Sequence, residues 1–290
     1  MSWELIIILQ VVISAVLSLI TRKISLKHPD ASFSIGLFAF IAIGLLGCVY
    51  ATLFQGALPH LPPPHMWTLL ILEGLTIPAA WLIQYKLVRH FGASNGTVIS
   101  VAFILFASLA ALALLREPFD IWFLSGSLSI MAAVFIVLRI APDDNHKRTL
   151  SPKNAIVLVV VGGLLYAVGM LSEKIVVNDI GAWNYAAYGW IMQAVGASFL
   201  LLVFARHELR KLSPSIITSG LTFGALTSVA GMLYIYALSL GSLSHTLILG
   251  SSKLALTAVL AAIFLNERNN IQKRILALLL SIIGIWLIIA

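Results

Sequence analysis

The sequence predicts an all-α membrane protein whose ten transmembrane helices form two inverted five-helix repeats around a central cavity. Three observations predict this fold: the apolar composition, the ten apolar runs, and the similarity between the two halves. Of the 290 residues, 60% are hydrophobic and only 10% are charged, and the mean hydropathy is +1.03. A soluble domain carries about 25% charged residues. Lipid is therefore the predicted solvent for most of the chain.

Ten apolar runs are each long enough to cross a membrane as a helix, which takes about 20 residues. Polar loops separate the runs, which are predicted at 3–20, 32–53, 66–86, 94–115, 119–140, 153–172, 182–205, 215–239, 243–265 and 271–290. The longest polar connection follows the fifth run. The predicted organisation is one integral membrane domain, with a first repeat at 1–141, a cytoplasmic linker at 142–152 and a second repeat at 153–290.

Lysine and arginine are distributed unevenly between the two sides of the predicted bundle. The odd-numbered loops hold 15 of these 18 residues, the even-numbered side holds Arg116 and Lys174, and Lys253 lies within a span. Cytoplasmic loops carry the excess of Lys and Arg. The odd-numbered loops are therefore predicted in the cytoplasm and both termini outside. The predicted location is the inner, or cytoplasmic, membrane, which the chain crosses many times.

The two halves of the chain are similar at a constant spacing. The segment that begins at Ser94 aligns with the segment that begins at Ser244, and in this register Glu117 aligns with Glu267. Each half has five spans, an odd number, so the two halves must enter the membrane with opposite orientations. Inverted repeats are typical of secondary transporters, which bind substrate near the midplane between the repeats.

The endings of the spans resemble those of the EamA type of the drug/metabolite transporter superfamily, and the resemblance covers essentially the full length. The fourth and ninth spans end in an apolar run followed by glutamate, in "LALLREP" with Glu117 and in "AIFLNER" with Glu267. The third and eighth spans end in Tyr-x-Leu. The resemblance implies that spans one to four and six to nine surround a central cavity, while spans five and ten are peripheral. It implies no particular substrate, because the family moves diverse metabolites.

The chain departs from the usual pattern of this family in two places. The loop between the second and third spans lacks the basic residues that many members have there, and Lys253 stands where many members have an apolar or small residue. Glu117 and Glu267 are each adjacent to an arginine. We interpret them as interfacial anchors or gate-side ion pairs rather than as substrate ligands.

Two charged side chains lie deep within predicted spans. Lys253 is about 15 Å into the ninth span and Glu73 about 10 Å from the outer end of the third, at 1.5 Å per residue. A charge at this depth costs at least about 2.5 kcal/mol, so it normally faces a cavity or a partner. For Lys253 three alternatives stay open: an ion pair with Glu73, binding of an anionic group on the substrate, and snorkelling towards water. For Glu73, proton coupling is a further alternative.

Other polar and aromatic residues share this layer. The predicted substrate-binding residues are Lys253, Glu73, Gln10, Tyr166, Trp190 and Gln193. For the two glutamines the alternative to substrate binding is a hydrogen bond between helices. For Trp190 the alternative is buried packing. Glu73 and Pro78 are the predicted coupling or gating residues, because a proline at this position kinks the helix and frees a backbone carbonyl at cavity depth.

Together these features predict a secondary transporter, a permease or exporter, that moves a small polar metabolite or drug-like solute by alternating access. Proton coupling and exchange coupling both stay open. The alternative is a flippase, or a flippase subunit, for a lipid-linked head group. The predicted partners are a small-molecule substrate and membrane lipid, and a homodimer stays open. Nucleic acid is excluded as a partner because the basic residues form no basic face.

Enzymatic chemistry is not predicted for this chain. The sequence contains no Walker motif and no evident nucleophile–base pair, so no catalytic residue is assigned. The seven histidines have no metal-ligand spacing, and Cys48 is the only cysteine. Neither a metal site nor a cofactor is therefore predicted.

Overall fold

The structure, a computed structural model, describes residues 3–28, 31–55, 59–117, 120–138, 152–264 and 271–289. These residues form nine α-helices and two short 3-10 helices, and none of them lies in a β-strand. The α-helices are α1 (Trp3–Lys27), α2 (Ser32–Gln55), α3 (Trp67–Leu114), α4 (Ile121–Leu138), α5 (Pro152–Phe204), α6 (Pro214–Leu240), α7 (Leu243–Ser251), α8 (Lys253–Phe264) and α9 (Ile271–Ile289). Glu267 and the predicted linker, apart from Pro152, lie outside the described residues.

The helices have the length and composition of membrane spans. Among the described residues, six helical segments are long and apolar enough to cross a membrane, and three shorter apolar helices accompany them. Large apolar side chains such as Leu45, Leu53 and Phe199 are exposed on the outside of the bundle, where lipid is the favourable solvent. The predicted class, an all-α multi-pass membrane protein, is confirmed.

Helix α3 contains two antiparallel arms. A straight helix would separate Gln84 from Ser100 by about 24 Å at 1.5 Å per residue. The side-chain amide of Gln84 nevertheless donates a hydrogen bond to the Ser100 hydroxyl at 2.5 Å. Leu87 also shares a packed cluster with Phe103. The chain therefore reverses between Gln84 and Ser100, and it divides α3 into a first arm (67–87) and a second arm (100–114).

Helix α5 also contains two arms, which meet at Gly181. This residue has φ 81° and ψ 161°, a backbone conformation that is essentially restricted to glycine. The first arm (152–180) extends beyond the predicted sixth span, which ends at residue 172. The second arm (182–204) corresponds to the predicted seventh span. The longer first arm places Glu173 and Lys174 inside a helix rather than in a loop.

Small residues allow close crossings between the arms and their neighbours. A Cβ atom at Gly196 would overlap the carbonyl oxygen of Gly74, which lies on the first arm of α3. A Cβ atom at Gly224 of α6 would likewise overlap the carbonyl oxygen of Ala39 in α2. Small residues at such crossings let helix backbones approach each other directly, and the association is driven by van der Waals packing.

Helices α4 and α9 form a separate pair. The hydroxyl of Ser129 donates to the backbone carbonyl of Leu280 at 2.8 Å. A Cβ atom at Gly284 would lie 2.7 Å from the carbonyl oxygen of Gly126, so the two backbones are close. The pair otherwise contacts mainly α3, α7 and α8.

Candidate substrate cavity

A cavity of about 270 Å³ lies between the helices. Residues of α1, α2, both arms of α3, both arms of α5, α6, α7 and α8 line it. Along α6 the lining extends from Phe223 to Ile235, about 18 Å at 1.5 Å per residue. No described residue of α4 or α9 is part of the lining. This arrangement agrees with what the family resemblance implies, because the elements of spans five and ten are peripheral.

The cavity has mainly apolar walls and a few polar groups. Phe40, Trp81 and Trp190 provide aromatic surface. The polar and ionisable side chains in the lining are Gln10, Ser14, Tyr166, Glu173, Gln193, Thr227, Tyr234, Thr246 and Lys253. Apolar walls with a small number of convergent polar groups are typical of small-molecule sites.

Lys253 lines the cavity at a break in the ninth span. The backbone N–H of Ser252 donates to Leu249 at 3.1 Å, and that of Ala255 donates to Ser252 at 3.2 Å. These bonds span three residues rather than four, so the helix tightens between α7 and α8. Such mid-helix tightening often marks a functional hinge. Lys253 is the first residue of α8 and directly follows this break.

The structure does not bring Lys253 and Glu73 together. Within the described part of the chain Lys253 forms no ion pair, and Glu73 does not belong to the cavity lining. The ammonium group of Lys253 is thus the one cationic group among the described lining residues, and no carboxylate neutralises it. Of the alternatives for this lysine, the ion pair with Glu73 is absent from this structure.

Glu73 lies one layer behind the cavity wall, between α3 and α5. Its Oε1 atom accepts a hydrogen bond from the Tyr185 hydroxyl and another from Nε2 of Gln193 at 2.6 Å. Its Oε2 atom is buried and has no hydrogen-bond partner among the described residues. Gln193 also lines the cavity, so it connects Glu73 to the cavity. For Gln193 the hydrogen bond between helices is the observed role.

Glu173 is a cavity residue that the sequence analysis missed. It is buried in the first arm of α5 and belongs to the lining. It lines the cavity together with Tyr166 and Met170 of the same arm. The sequence predicts that the sixth span ends at residue 172, just before the adjacent polar pair Glu173–Lys174. The apolar residues that follow, Val176 and Val177, are both buried, and they were the signal that the helix continues.

Lys174 is not part of the cavity lining, and its side chain connects α5 to the end of α6. Its Nζ atom donates to the backbone carbonyls of Leu238 and Gly241, both at 2.7 Å. The last carbonyls of a helix have no partner within the helix, and a cation there also interacts favourably with the helix dipole. This lysine therefore has a structural role, since it holds α5 against the C-terminal end of α6.

The remaining predicted residues differ in their surroundings. Gln10 donates to the Ser14 hydroxyl at 2.8 Å within α1, and its buried Oε1 atom has no partner among the described residues. Trp190 lines the cavity and packs at its edge against Tyr50, with ring centroids 6.4 Å apart. Tyr166 lines the cavity and packs against Phe103. Five of the six predicted substrate-binding residues thus share one cavity, and Glu73 lies behind it.

Pro78 lies within the first arm of α3 and is not part of the cavity lining. Because proline has no N–H, the carbonyl of Gly74 lacks its helical donor. That carbonyl oxygen faces Gly196 of α5. The freed carbonyl expected at cavity depth is therefore at a crossing between two helices.

Glu117 links the end of α3 to the start of α7. Its carboxylate accepts hydrogen bonds from the backbone N–H of Leu243 at 2.6 Å, from that of Ser244 at 2.8 Å, and from the Ser244 hydroxyl. The first N–H groups of a helix have no partner within the helix, and a carboxylate there satisfies them. Glu117 thus caps α7, a role that differs from the expected anchor or ion pair.

Replacing Glu117 with Gln is expected to destabilise the protein by about 1–3 kcal/mol, because the charged acceptor of these hydrogen bonds is lost. Thermal unfolding of the purified protein in detergent measures the effect. Glu4→Gln is the control, because no hydrogen bond to the Glu4 side chain occurs in the described structure, and its unfolding midpoint should stay unchanged. Equal midpoints for the two variants would contradict the capping role.

Comparison with known proteins reveals similarity to one family. Two segments of the chain, residues 1–139 and 153–290, each match the profile of the EamA-like transporter family. No curated protein matches the chain significantly, whereas 27 chains of solved structures match. One of these, described only as "Crystal structure of protein", aligns with a TM-score of 0.70 and 13% identity over 96% of this chain and 97% of its own length. Because the sequence identity is low, this similarity indicates a shared fold and nothing about function.

Proposed function

Because the chain belongs to the EamA-like transporter family, we propose that it is a secondary transporter that moves a small solute by alternating access. The proposed architecture has ten spans, which count each arm of α3 and α5 as one span and α7 with α8 as one. Each half then has five spans, and the two halves are proposed to be inverted repeats. The match of one family profile to both halves supports this arrangement.

The observation that carries the proposal is the ammonium group of Lys253, which lines the cavity and forms no ion pair within the described structure. A half-buried cation at membrane depth without a partner is costly, and an anionic ligand would offset that cost. We therefore propose that the solute carries a carboxylate or phosphate group that binds Lys253.

The rest of the lining suggests how the solute would be held. Its size would be modest, since the cavity of about 270 Å³ is near the lower end of small-molecule pockets, about 300 Å³. Trp190 and Trp81 offer aromatic surface to an apolar portion of the solute. Gln10 offers a donor its amide oxygen, which has no hydrogen-bond partner among the described residues. Tyr166 and Gln193 complete the proposed substrate contacts.

Coupling and gating are proposed for the contact between α3 and α5. Glu73 is the proposed coupling residue, because it is fully buried and reaches the cavity through Gln193. Pro78 is the proposed gating residue, because the carbonyl that it frees lies at the crossing with Gly196. The inner-membrane location, both termini outside and a homodimer remain predictions from the sequence. The transporter family does not favour the flippase alternative.

A panel of paired compounds tests the proposed function. Purified protein would be heated with small carboxylates and phosphate esters, and with the neutral amide or alcohol analogue of each. A ligand that binds only the folded state raises its apparent stability, so we expect anions to raise the unfolding midpoint and their neutral analogues to leave it unchanged. The stabilising anion should then enter proteoliposomes that contain the protein. Equal stabilisation by neutral analogues, or no uptake, would contradict the proposal.

A further inference from the structure

The cavity lining contains one carboxyl group in addition to the ammonium group of Lys253. Among the described lining residues, Glu173 is the only aspartate or glutamate. Its exposed fraction is 3%, and neither Glu173 nor Lys253 forms an ion pair within the described part of the chain. The two groups thus line the same cavity without neutralising each other. A charged group in such a site is costly unless an opposite charge compensates it, and a ligand can supply that charge.

Tyrosine side chains share the part of the lining that contains Glu173. Tyr166 and Met170 line the cavity from the same arm of α5, two turns and one turn before Glu173, so they share its face of the helix. Tyr234 of α6 belongs to the same lining, and its hydroxyl lies 3.5 Å from the sulfur of Met170. Aromatic rings attract organic cations through their quadrupoles, and a carboxylate adds Coulomb attraction. This part of the cavity therefore has the chemistry of an ammonium site.

Glu173 and Lys253 lie at different depths along the bundle. Lys174, the neighbour of Glu173, donates to carbonyls at the C-terminal end of α6, so this turn of α5 lies close to that end. Helix α7 starts at Leu243, just after α6 ends, and Lys253 follows ten residues later, about 15 Å further along at 1.5 Å per residue. A ligand that reaches both side chains must therefore carry its two charged groups on separate parts of its structure.

We propose that Glu173, Tyr166 and Tyr234 form a cation subsite, and that the transported solute is dipolar. Its ammonium or similar organic cation binds this subsite, and its carboxylate or phosphate binds Lys253. Each charged side chain of the cavity is then paired with a charge of the solute. A solute that carries only one of the two groups leaves one side chain uncompensated, so it binds more weakly. The dipolar solute rests on the proposed function, whereas the cation subsite does not.

Thermal-shift titration of the native protein with matched compounds tests the subsite. The panel contains linear ω-amino carboxylates of increasing chain length, and for each one the alkyl carboxylate and the alkyl ammonium of the same length. We expect at least one dipolar compound to bind roughly ten- to hundredfold more tightly than its parent carboxylate, the factor that a hydrogen bond to a charged group provides. Equal binding of the dipolar compound and its parent carboxylate at every length would overturn the proposal, as would a complete absence of binding by the ammonium-bearing compounds.

Glu173→Gln should remove the advantage of the dipolar compound while alkyl carboxylates still bind at Lys253. Glu208→Gln is the matched control, because Glu208 is a buried carboxylate outside the cavity lining, and it should keep the advantage.

Glu173→Asp keeps the carboxyl group and should also keep the advantage, which covers the case that Glu173→Gln does not fold. An advantage that survives Glu173→Gln would overturn the subsite. Binding of alkyl ammonium that depends on Glu173, without any binding of carboxylates, would instead count against the proposed anionic solute and leave the cation subsite intact.

Discussion

Lys253→Met is expected to weaken the binding of anionic solutes, and with it their stabilising effect and their uptake, while leaving the protein folded. The variant removes the ammonium group and keeps an unbranched apolar side chain of similar length. A hydrogen bond to a charged group contributes about 1.5–3 kcal/mol, which corresponds to roughly ten- to hundredfold weaker binding. Thermal-shift titration with the stabilising anion measures the binding, and proteoliposome uptake measures the transport.

The stability of the same variant gives an independent check with a defined sign. In the absence of solute Lys253 forms no ion pair within the described structure, so the removal of its charge relieves a desolvation cost. The unfolding midpoint of Lys253→Met should therefore equal or exceed that of the native protein. Lys253→Arg is the matched control, because it keeps the positive charge and should retain binding. Native binding of anions by Lys253→Met would exclude this lysine from the site.

The apolar helices could be predicted from the sequence because an apolar run of membrane length is a local property. The end of the sixth span was placed too early for a physical reason. Glu173 and Lys174 look like a membrane-surface pair, yet Lys174 bonds the carbonyls of Leu238 and Gly241, and Glu173 lines the cavity together with residues of other helices. These partners are distant in sequence, so no local pattern shows that two charged residues continue the helix.

The layer of cavity residues could also be predicted in part, from the depth of polar side chains. The position of Glu73 shows that depth alone does not predict which side chains reach the cavity. Ile77 and Trp81 follow it at intervals of four residues, and both line the cavity. Glu73 thus lies on the same face of α3 as these two residues, but one turn closer to the start of the helix, where Tyr185 and Gln193 cover it. Which helix covers a given turn depends on packing between distant segments.

Gly196→Ala is expected to cause the largest loss of stability among single-methyl additions at the cavity helices. The new Cβ atom would overlap the carbonyl oxygen of Gly74, which is backbone and cannot rotate away. Cores that are overpacked in this way lose about 1–3 kcal/mol, and occasionally more. The second arm of α5 must then move away from α3. Because Gln193 lies one turn from Gly196, its hydrogen bond to Glu73 should weaken as well.

Gly250→Ala provides the matched control for this steric argument. A Cβ atom at Gly250 would meet only the Gln10 Oε1 atom, at 3.9 Å, which is an ordinary contact distance. Alanine is a better helix former than glycine by about 1 kcal/mol, so Gly250→Ala should unfold at or above the native midpoint. Gly196→Ala should unfold well below it, because the same gain in helix propensity cannot offset an overlap with backbone. Equal midpoints for the two alanine variants would show that α3 and α5 can separate at this crossing without cost.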